Sequence, residues 1–118
     1  MALAKDIMGG GFSAGQAKSI QGNFQTVSAA GTSQATGAAI RSSNVTVTGA
    51  SGTNAVVLPN TDIGDSILLY SSAATNALLV FPPSGGNINA AAANASFSAA
   101  AQTPYYFTKV SATQWLAK

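Results

Sequence analysis

The stretch Gly9–Ser19, "GGGFSAGQAKS", has the residue types of a loop that binds phosphate. Gly10 and Gly15 stand at the spacing of the two glycines in a P-loop, whose backbone amides surround a phosphate group. In a P-loop the lysine follows the second glycine directly, whereas two other residues precede Lys18 here. Two extra helical residues rotate the lysine by about 200° around the helix axis, away from the phosphates. The spacing therefore argues against nucleotide binding.

A short helix explains the same stretch better. Ser13 followed by Gln16 is a capping-box pattern, in which two side chains bind the free amides at a helix start. Gly22 suits the helix end. We therefore predict a helix over residues 13–21, preceded by a helical turn near residues 3–8, in an N-terminal arm of residues 1–22. A helix this short is unstable alone in water, so we expect it to dock on another surface.

The turn "PNTDIGDS" at residues 59–66 offers oxygen ligands. Asp62 and Asp65, together with Asn60, carry the oxygen atoms that calcium prefers, but they supply too few ligands for a dedicated site. Acid–base catalysis by the same pair would need burial of one carboxyl group, which a polar turn does not favour. Aspartates beside a glycine are typical of turns, where their side chains bind backbone amides. We interpret both aspartates as turn residues.

Other catalytic groups are missing from the composition. The chain has no cysteine and no histidine, so it lacks a thiolate, a disulfide framework and the commonest metal ligand and general base. Its many serines have no histidine to activate them. We predict a protein that is not an enzyme, with no catalytic residue, no metal site and no cofactor.

Charged residues make up only 7% of the chain, against about a quarter in typical soluble domains. The surface must therefore consist of small polar residues and alanine. Such a surface loses little side-chain entropy and little ionic hydration when another protein covers it. Two interpretations stay open: a surface built for permanent assembly, and a bland β surface.

Nucleic-acid and membrane partners are not expected. The five basic residues are scattered along the chain, whereas nucleic-acid binding needs clustered phosphate contacts. Tyr105–Phe107 beside Lys109 is a local candidate, but strand aromatics usually pack in a core. No apolar run approaches the roughly 18 residues of a membrane span, and Lys5 and Asp6 interrupt any secretory signal. We expect the chain to remain in the cytoplasm where it is made.

From Phe24 onward, short alternating runs rich in valine and threonine predict β-strands. The expected strand segments are residues 24–31, 33–40, 44–49, 54–59, 65–72, 76–83, 104–111 and 113–117, with weaker ones in "NINA" and "ASFSAA". The last two segments form a predicted hairpin around Ser111 and Ala112. We predict one mainly β domain over residues 23–118, a β-sandwich or a jelly-roll-like barrel.

Several strands are apolar at consecutive positions, notably Ile67–Tyr70 and Leu78–Phe81, which predicts burial on both faces. One face would meet the domain's own core, and the other would need another sheet, the N-terminal helix or a second copy of the chain. Trp115 suits the core, with a partner interface as the alternative. The segments "AAGTSQ" and "ASGTNA" are similar but too short to identify a repeat.

The order of several segments resembles a family of small virion-associated proteins of tailed bacteriophages. These segments are "KDIMGGGFSAGQAKSIQG", "AAGTSQAT", "VVLP", "GDSILLY", "NALLVFPPSGGNIN", "ASFS" and "VSATQWLA", and they cover nearly the whole chain. The resemblance implies a β-rich structural protein of the virion without catalytic residues. It implies a capsid decoration, or cement, protein that binds the major capsid protein, with a tail or fibre adhesin component as the alternative.

The resemblance also implies self-association, with a trimer as the expected oligomer, and leaves the interface residues unassigned. In a fibre, Tyr70, Tyr105 and Tyr106 would be the candidates for glycan contacts. Where relatives often read "LAAG", this chain has "SAAAQTP", so Pro104 is expected to change a turn and its neighbours. The glycines at 9–11 are expected to let the first eight residues reach a neighbouring subunit.

Overall fold

The computed structural model describes residues 24–118, so the expected arm, the helix over 13–21 and the glycine-rich loop lie outside the described residues. Every regular element in the described part is a β-strand, which confirms the mainly β prediction. The strands are β1 (Phe24–Ser28), β2 (Ala38–Ala39), β3 (Asn44–Thr48), β4 (Ala55–Val57), β5 (Ser66–Ser71), β6 (Leu78–Phe81), β7 (Asn87–Ile88), β8 (Phe97–Ala99), β9 (Pro104–Lys109) and β10 (Gln114–Ala117).

The first six strands wind as a coil between two sheets. The large sheet has the order β1-β3-β5-β9-β10-β7, and the small sheet has the order β2-β4-β6-β8. Strands β1, β3 and β5 are parallel to one another, as are β2, β4 and β6. Phe24 pairs with Asn44, which pairs with Leu68, so successive coils lie 20 and 24 residues apart. This stacking is solenoid-like, and the more specific sandwich or jelly-roll prediction is not confirmed by it.

The similarity between "AAGTSQ" and "ASGTNA" marks this coil. The first segment follows β1 and the second follows β3, at the corner where the chain leaves the large sheet for the small one. A third similar segment, "SAATNA" at residues 72–77, follows β5 at the next corner. In the middle corner the Asn54 side chain accepts from the Ser51 amide at 2.8 Å and donates to the Gly49 carbonyl at 2.6 Å. The similar segments therefore occupy equivalent corners of successive coils.

Antiparallel strands end the coil on its C-terminal side. Strand β9 pairs antiparallel with β5, and β10 folds back on β9, with the Val110 amide donating to the Gln114 carbonyl at 2.9 Å. This confirms the predicted hairpin around Ser111 and Ala112. On the small sheet β8 pairs antiparallel with β6, which ends directly before Pro82, as the double proline predicts.

The inner faces of both sheets meet in one hydrophobic core. Trp115 is 1% exposed, which confirms its predicted place in the core. Phe97 of the small sheet meets Tyr105 and Phe107 of the large sheet edge-on, with ring centroids 5.2 and 5.5 Å apart. Edge-to-face aromatic pairs stabilise a fold by more than the burial of their apolar area alone. This aromatic group therefore stabilises the contact between the two sheets.

Residues 24–118 bury only one face of β5, whereas the sequence predicted burial of both faces. Ile67 and Leu69 are buried, whereas Leu68 is half-buried and Tyr70 is 37% exposed. The outer side of the small sheet is partly covered by the chain itself, because Gln34 reaches across from the loop after β1 to donate to the Pro82 carbonyl at 2.6 Å. The outer side of the large sheet has no such loop among the described contacts.

Candidate partner-binding face

The outer surface of the large sheet is the candidate functional site, and we call it the open face. Side chains alternate along a strand and directly paired residues point to the same side, so the residues turned away from the core form one surface. On β1, β3, β5, β9 and β10 these residues are Phe24, Thr26, Ser28, Asn44, Thr46, Thr48, Ser66, Leu68, Tyr70, Pro104, Tyr106, Thr108, Gln114 and Leu116. None of these strand residues is charged, but Lys118, directly after β10, exchanges two backbone hydrogen bonds of 3.0 Å with Tyr106, which places one lysine on this face.

The centre of the open face is apolar. Leu68 lies directly opposite Tyr106, and Tyr70 lies opposite Pro104 on the neighbouring strand. Tyr106 is 57% exposed, and Leu116 on the next strand is 49% exposed. Contiguous apolar side chains at the surface of a soluble protein commonly mark an interaction site. The position of these residues therefore favours a binding role over a bland surface.

The other half of the open face carries short polar side chains. Thr26 pairs with Thr46, which pairs in turn with Tyr70, so a row of threonines runs into the apolar centre. Near the opposite side, the hydroxyl groups of Ser66 and Thr108 form a hydrogen bond of 2.8 Å, which orders both side chains. Short and ordered side chains lose little conformational entropy when they are covered. The strand residues of the open face are thus uncharged and cost little free energy to bury, while Lys118 places one charge beside Tyr106.

The three tyrosines named from the sequence do not form one site. Tyr70 and Tyr106 lie on the open face, but Tyr105 points to the other side of β9. Its ring packs against Phe97, and its hydroxyl oxygen accepts from the Ala100 amide at 3.1 Å. Tyr105 is half-buried and packs against the core, so the expected group of three glycan contacts reduces to two positions on the open face.

Within the aromatic run beside Lys109, Tyr105 and Phe107 pack inward as the strand interpretation predicts, whereas Tyr106 is exposed. Phe107 is fully buried, and Lys109 is only 6% exposed although it is a lysine. The Nζ atom of Lys109 donates to the Asn60 Oδ1 at 3.2 Å and to the Thr61 carbonyl at 2.6 Å. This lysine therefore belongs to the interior side of β9 and adds no charge to the outer surface.

The two aspartates of the loop before β5 close a turn. The Asp65 Oδ2 accepts from the Asp62 amide at 3.1 Å, and the Asp65 amide donates to the Asp62 carbonyl at 3.1 Å. These hydrogen bonds agree with the turn interpretation. Asn60 does not join them, because its side-chain oxygen binds Lys109 instead. In residues 24–118 no three acidic, histidine or cysteine side chains gather closely enough to hold a metal ion.

Sequence reasoning missed part of this face. Leu116 and Phe24 were not singled out, although both are exposed apolar residues that alternate with inward-facing neighbours. The useful signal was the position of Leu116 directly after the core residue Trp115, because adjacent strand residues point to opposite faces. The pairing of β5 with β9 and of β9 with β10, which makes the patch continuous, is not visible in any single segment.

Wider comparisons add no relative to this description. No protein-family model matches the chain, and neither the curated proteins nor the solved structures include a match to it. Within residues 24–118, the structure contains no helix of the length and hydropathy needed to cross a membrane.

Proposed function

We propose that this chain is a non-enzymatic structural protein of a tailed-bacteriophage virion, which decorates and stabilises the outer capsid shell by binding the major capsid protein. The observation that carries the proposal is the open face, a sheet surface with exposed apolar residues on which Lys118 is the one charged residue of the described part. The order of sequence segments that resembles virion proteins supports the same conclusion.

The open face has the chemistry of a permanent contact. Burial of apolar area stabilises a complex by about 25 cal/mol per Å², and exposed tyrosines such as Tyr106 are common energetic centres of interfaces. Little ionic hydration is lost on contact, because Lys118 is the one charged residue of the described part that lies on this face. Many copies bound to one shell then stabilise it through the sum of their contacts. A trimer would add contacts between neighbouring copies.

For the finer architecture we propose a two-layer arrangement in which the sheets enclose the core as in a sandwich, while β1 to β6 stack as a short solenoid. Residues from both sheets line one common core, which supports the sandwich description. The parallel ladders support the solenoid description.

A tail or fibre component is the second candidate, and the parallel ladders favour it. Stacked coils extend along one axis, which suits an elongated structure. Strand β1 is the terminal strand of the large sheet, and its exposed Phe24 is available to a stacked neighbour. In that case Tyr70 and Tyr106 would contact glycans or a fibre partner.

Binding to separated heads and tails of the parent phage tests the two candidates. Purified chain is mixed with each fraction, sedimented, and the bound protein is quantified. A decoration protein saturates heads at a fixed ratio to the major capsid protein and leaves tails free. Saturable binding to tails alone, or spontaneous growth of the chain into fibres, contradicts the decoration proposal and favours the tail candidate.

The N-terminal arm has a separate role in the proposal, as a clip onto a neighbouring subunit. Deletion of residues 1–11 should weaken binding to heads while the unfolding free energy of the β domain stays unchanged. Circular dichroism under increasing urea checks the second condition. Equal binding by the truncated and full chains would remove the arm from the account.

A further inference from the structure

We propose that a cleft beside Lys109 binds a carboxylate group. The cleft has a volume of about 220 Å³ and lies where the β9–β10 hairpin meets the segment after β6. Its walls include Asn60, Pro83, Gly86, Lys109, Thr113 and Trp115. It is separate from the open face, because Lys109 and Trp115 point to the opposite side of the large sheet. The inference therefore does not depend on the proposed function.

Lys109 provides the positive charge of this cleft. The side chain is 6% exposed, and its two hydrogen bonds go to the uncharged oxygens of Asn60 and Thr61. A lysine ammonium group has three N–H donors, so one donor remains for another acceptor. Removing an ammonium group from water without a negative partner is costly. An anion in the cleft would recover part of that free energy.

Asn60 holds the ammonium group at the wall of the cleft. Its side-chain oxygen accepts from the Lys109 Nζ at 3.2 Å, and both residues line the cleft. A carboxylate oxygen in the cleft can accept the remaining ammonium N–H.

Charge and size select a carboxylate from the possible anions. Its single negative charge matches the single lysine, whereas a phosphate monoester carries about 1.5 to 2 negative charges and would bring excess charge into the cleft. The Asp65 carboxylate is already bound to the Asp62 amide in its own turn. The rings of Trp115 and Pro83 add an apolar wall for a short carbon chain. The ligand is therefore a small organic acid or the acidic side chain of a partner protein.

Nuclear magnetic resonance of the full chain provides the test. The reporters are the side-chain signals of Lys109 and the indole N–H of Trp115, which is the single tryptophan. Sodium propionate is titrated against sodium chloride at equal ionic strength, with sodium phosphate as a third series. We expect both reporter signals to shift and saturate in the propionate series and not in the chloride or phosphate series. Shifts that follow chloride or phosphate equally well would overturn the proposal.

Variants separate the cleft from nonspecific binding. Lys109→Met should abolish the propionate-dependent shift of the Trp115 indole, because it removes the positive charge that lines the cleft. Lys118→Met, which removes an exposed lysine, is the matched control and should bind like the wild type. Should Lys109→Met fail to fold, the wild-type titration decides alone, and the absence of a saturating propionate-dependent shift at the Trp115 indole refutes the proposal.

The source of the carboxylate is distinguished by two amidated peptides that differ at one glutamate-to-glutamine position. Tighter binding of the glutamate peptide than of propionate identifies an acidic side chain of a partner protein. Binding of propionate without binding of the peptide identifies a free small acid. Binding of both peptides with equal affinity would show that the carboxylate is not recognised.

Discussion

At the residue scale, neighbouring positions on one strand have opposite roles. Trp115 is fully enclosed by the core, while Leu116 stands on the open face. The strand period of two explains the difference, because the two side chains leave the backbone on opposite sides. The core role of Trp115 was predictable from its size and place in an alternating run.

This contrast gives a direct stability prediction. Trp115→Ala should lower the free energy of unfolding by about 3–5 kcal/mol, because it removes a large buried side chain and leaves a cavity. Leu116→Ala should change it by no more than about 0.5 kcal/mol, the usual range for surface positions. Urea unfolding followed by circular dichroism measures both. Similar losses for the two variants would contradict the assignment of the two faces.

Other residue roles were not predictable from the sequence. Lysine is rarely buried, so nothing in the sequence indicated that Lys109 would bind Asn60 and Thr61 inside the molecule. The separation of Tyr105 from Tyr106 depends on which side of β9 faces the core. That choice is made by pairing with β5 and by contact with Phe97, both of which are distant in the sequence.

At the element scale, the corners between the sheets limit which residues the coil accepts. Gly31 and Gly52 both have positive φ angles, 63° and 92°, but their surroundings differ. A Cβ atom at Gly31 would lie 2.5 Å from the Thr36 carbonyl oxygen, whereas a Cβ atom at Gly52 would meet nothing within 4 Å.

We therefore expect Gly31→Ala to destabilise the fold more than Gly52→Ala. The second substitution carries only the left-handed backbone cost of about 1–2 kcal/mol, while the first adds a steric clash with the backbone of Thr36. Thermal unfolding of both variants provides the comparison. Equal melting temperatures of the two variants would contradict this prediction. They would show that the loop after β1 can rearrange to accept the Cβ atom without loss of stability.

The pairing of the strands also predicts which amides exchange slowly. Strand β5 is hydrogen-bonded on both sides, by β3 and by β9, whereas β1 ends the large sheet. Amides of Leu69 and Phe107 should therefore exchange with deuterium much more slowly than those of β1, since edge elements open locally at low free energy. Hydrogen exchange read by mass spectrometry or nuclear magnetic resonance tests this. Equal protection of β1 and β5 would contradict the strand order.

The strands themselves were largely predictable, but their parallel pairing was not. Alternation and turn residues located β3, β5, β6 and β9 well, because these signals act within a few residues. Parallel and antiparallel strands share the same period of two, so the pattern does not reveal the direction of pairing. The short similar segments at the corners were the available signal for a coil of 20 to 24 residues.

At the scale of the whole molecule, the distribution of charge links the fold to the proposed function. The charged residues of the described part are Arg41, Asp62, Asp65, Lys109 and Lys118, and of these Lys118 lies on the open face, paired with Tyr106. The low charge content predicted a surface of small polar residues, but only the strand order shows that one continuous side of the large sheet carries a single charged residue, Lys118, within residues 24–118.

Binding of wild-type and substituted chains to capsids tests the central claim most directly. Tyr106→Lys places a charge at the apolar centre of the open face, and Ser98→Lys places one at an exposed position of β8 on the small sheet. The wild-type chain and the two variants are each titrated onto heads that lack the protein, and the bound protein is measured after sedimentation. We expect the wild type and Ser98→Lys to saturate the heads equally, and Tyr106→Lys to bind at least about tenfold more weakly, since a buried unpaired charge opposes association. Equal binding by all three chains would contradict the open face as the surface that meets the capsid.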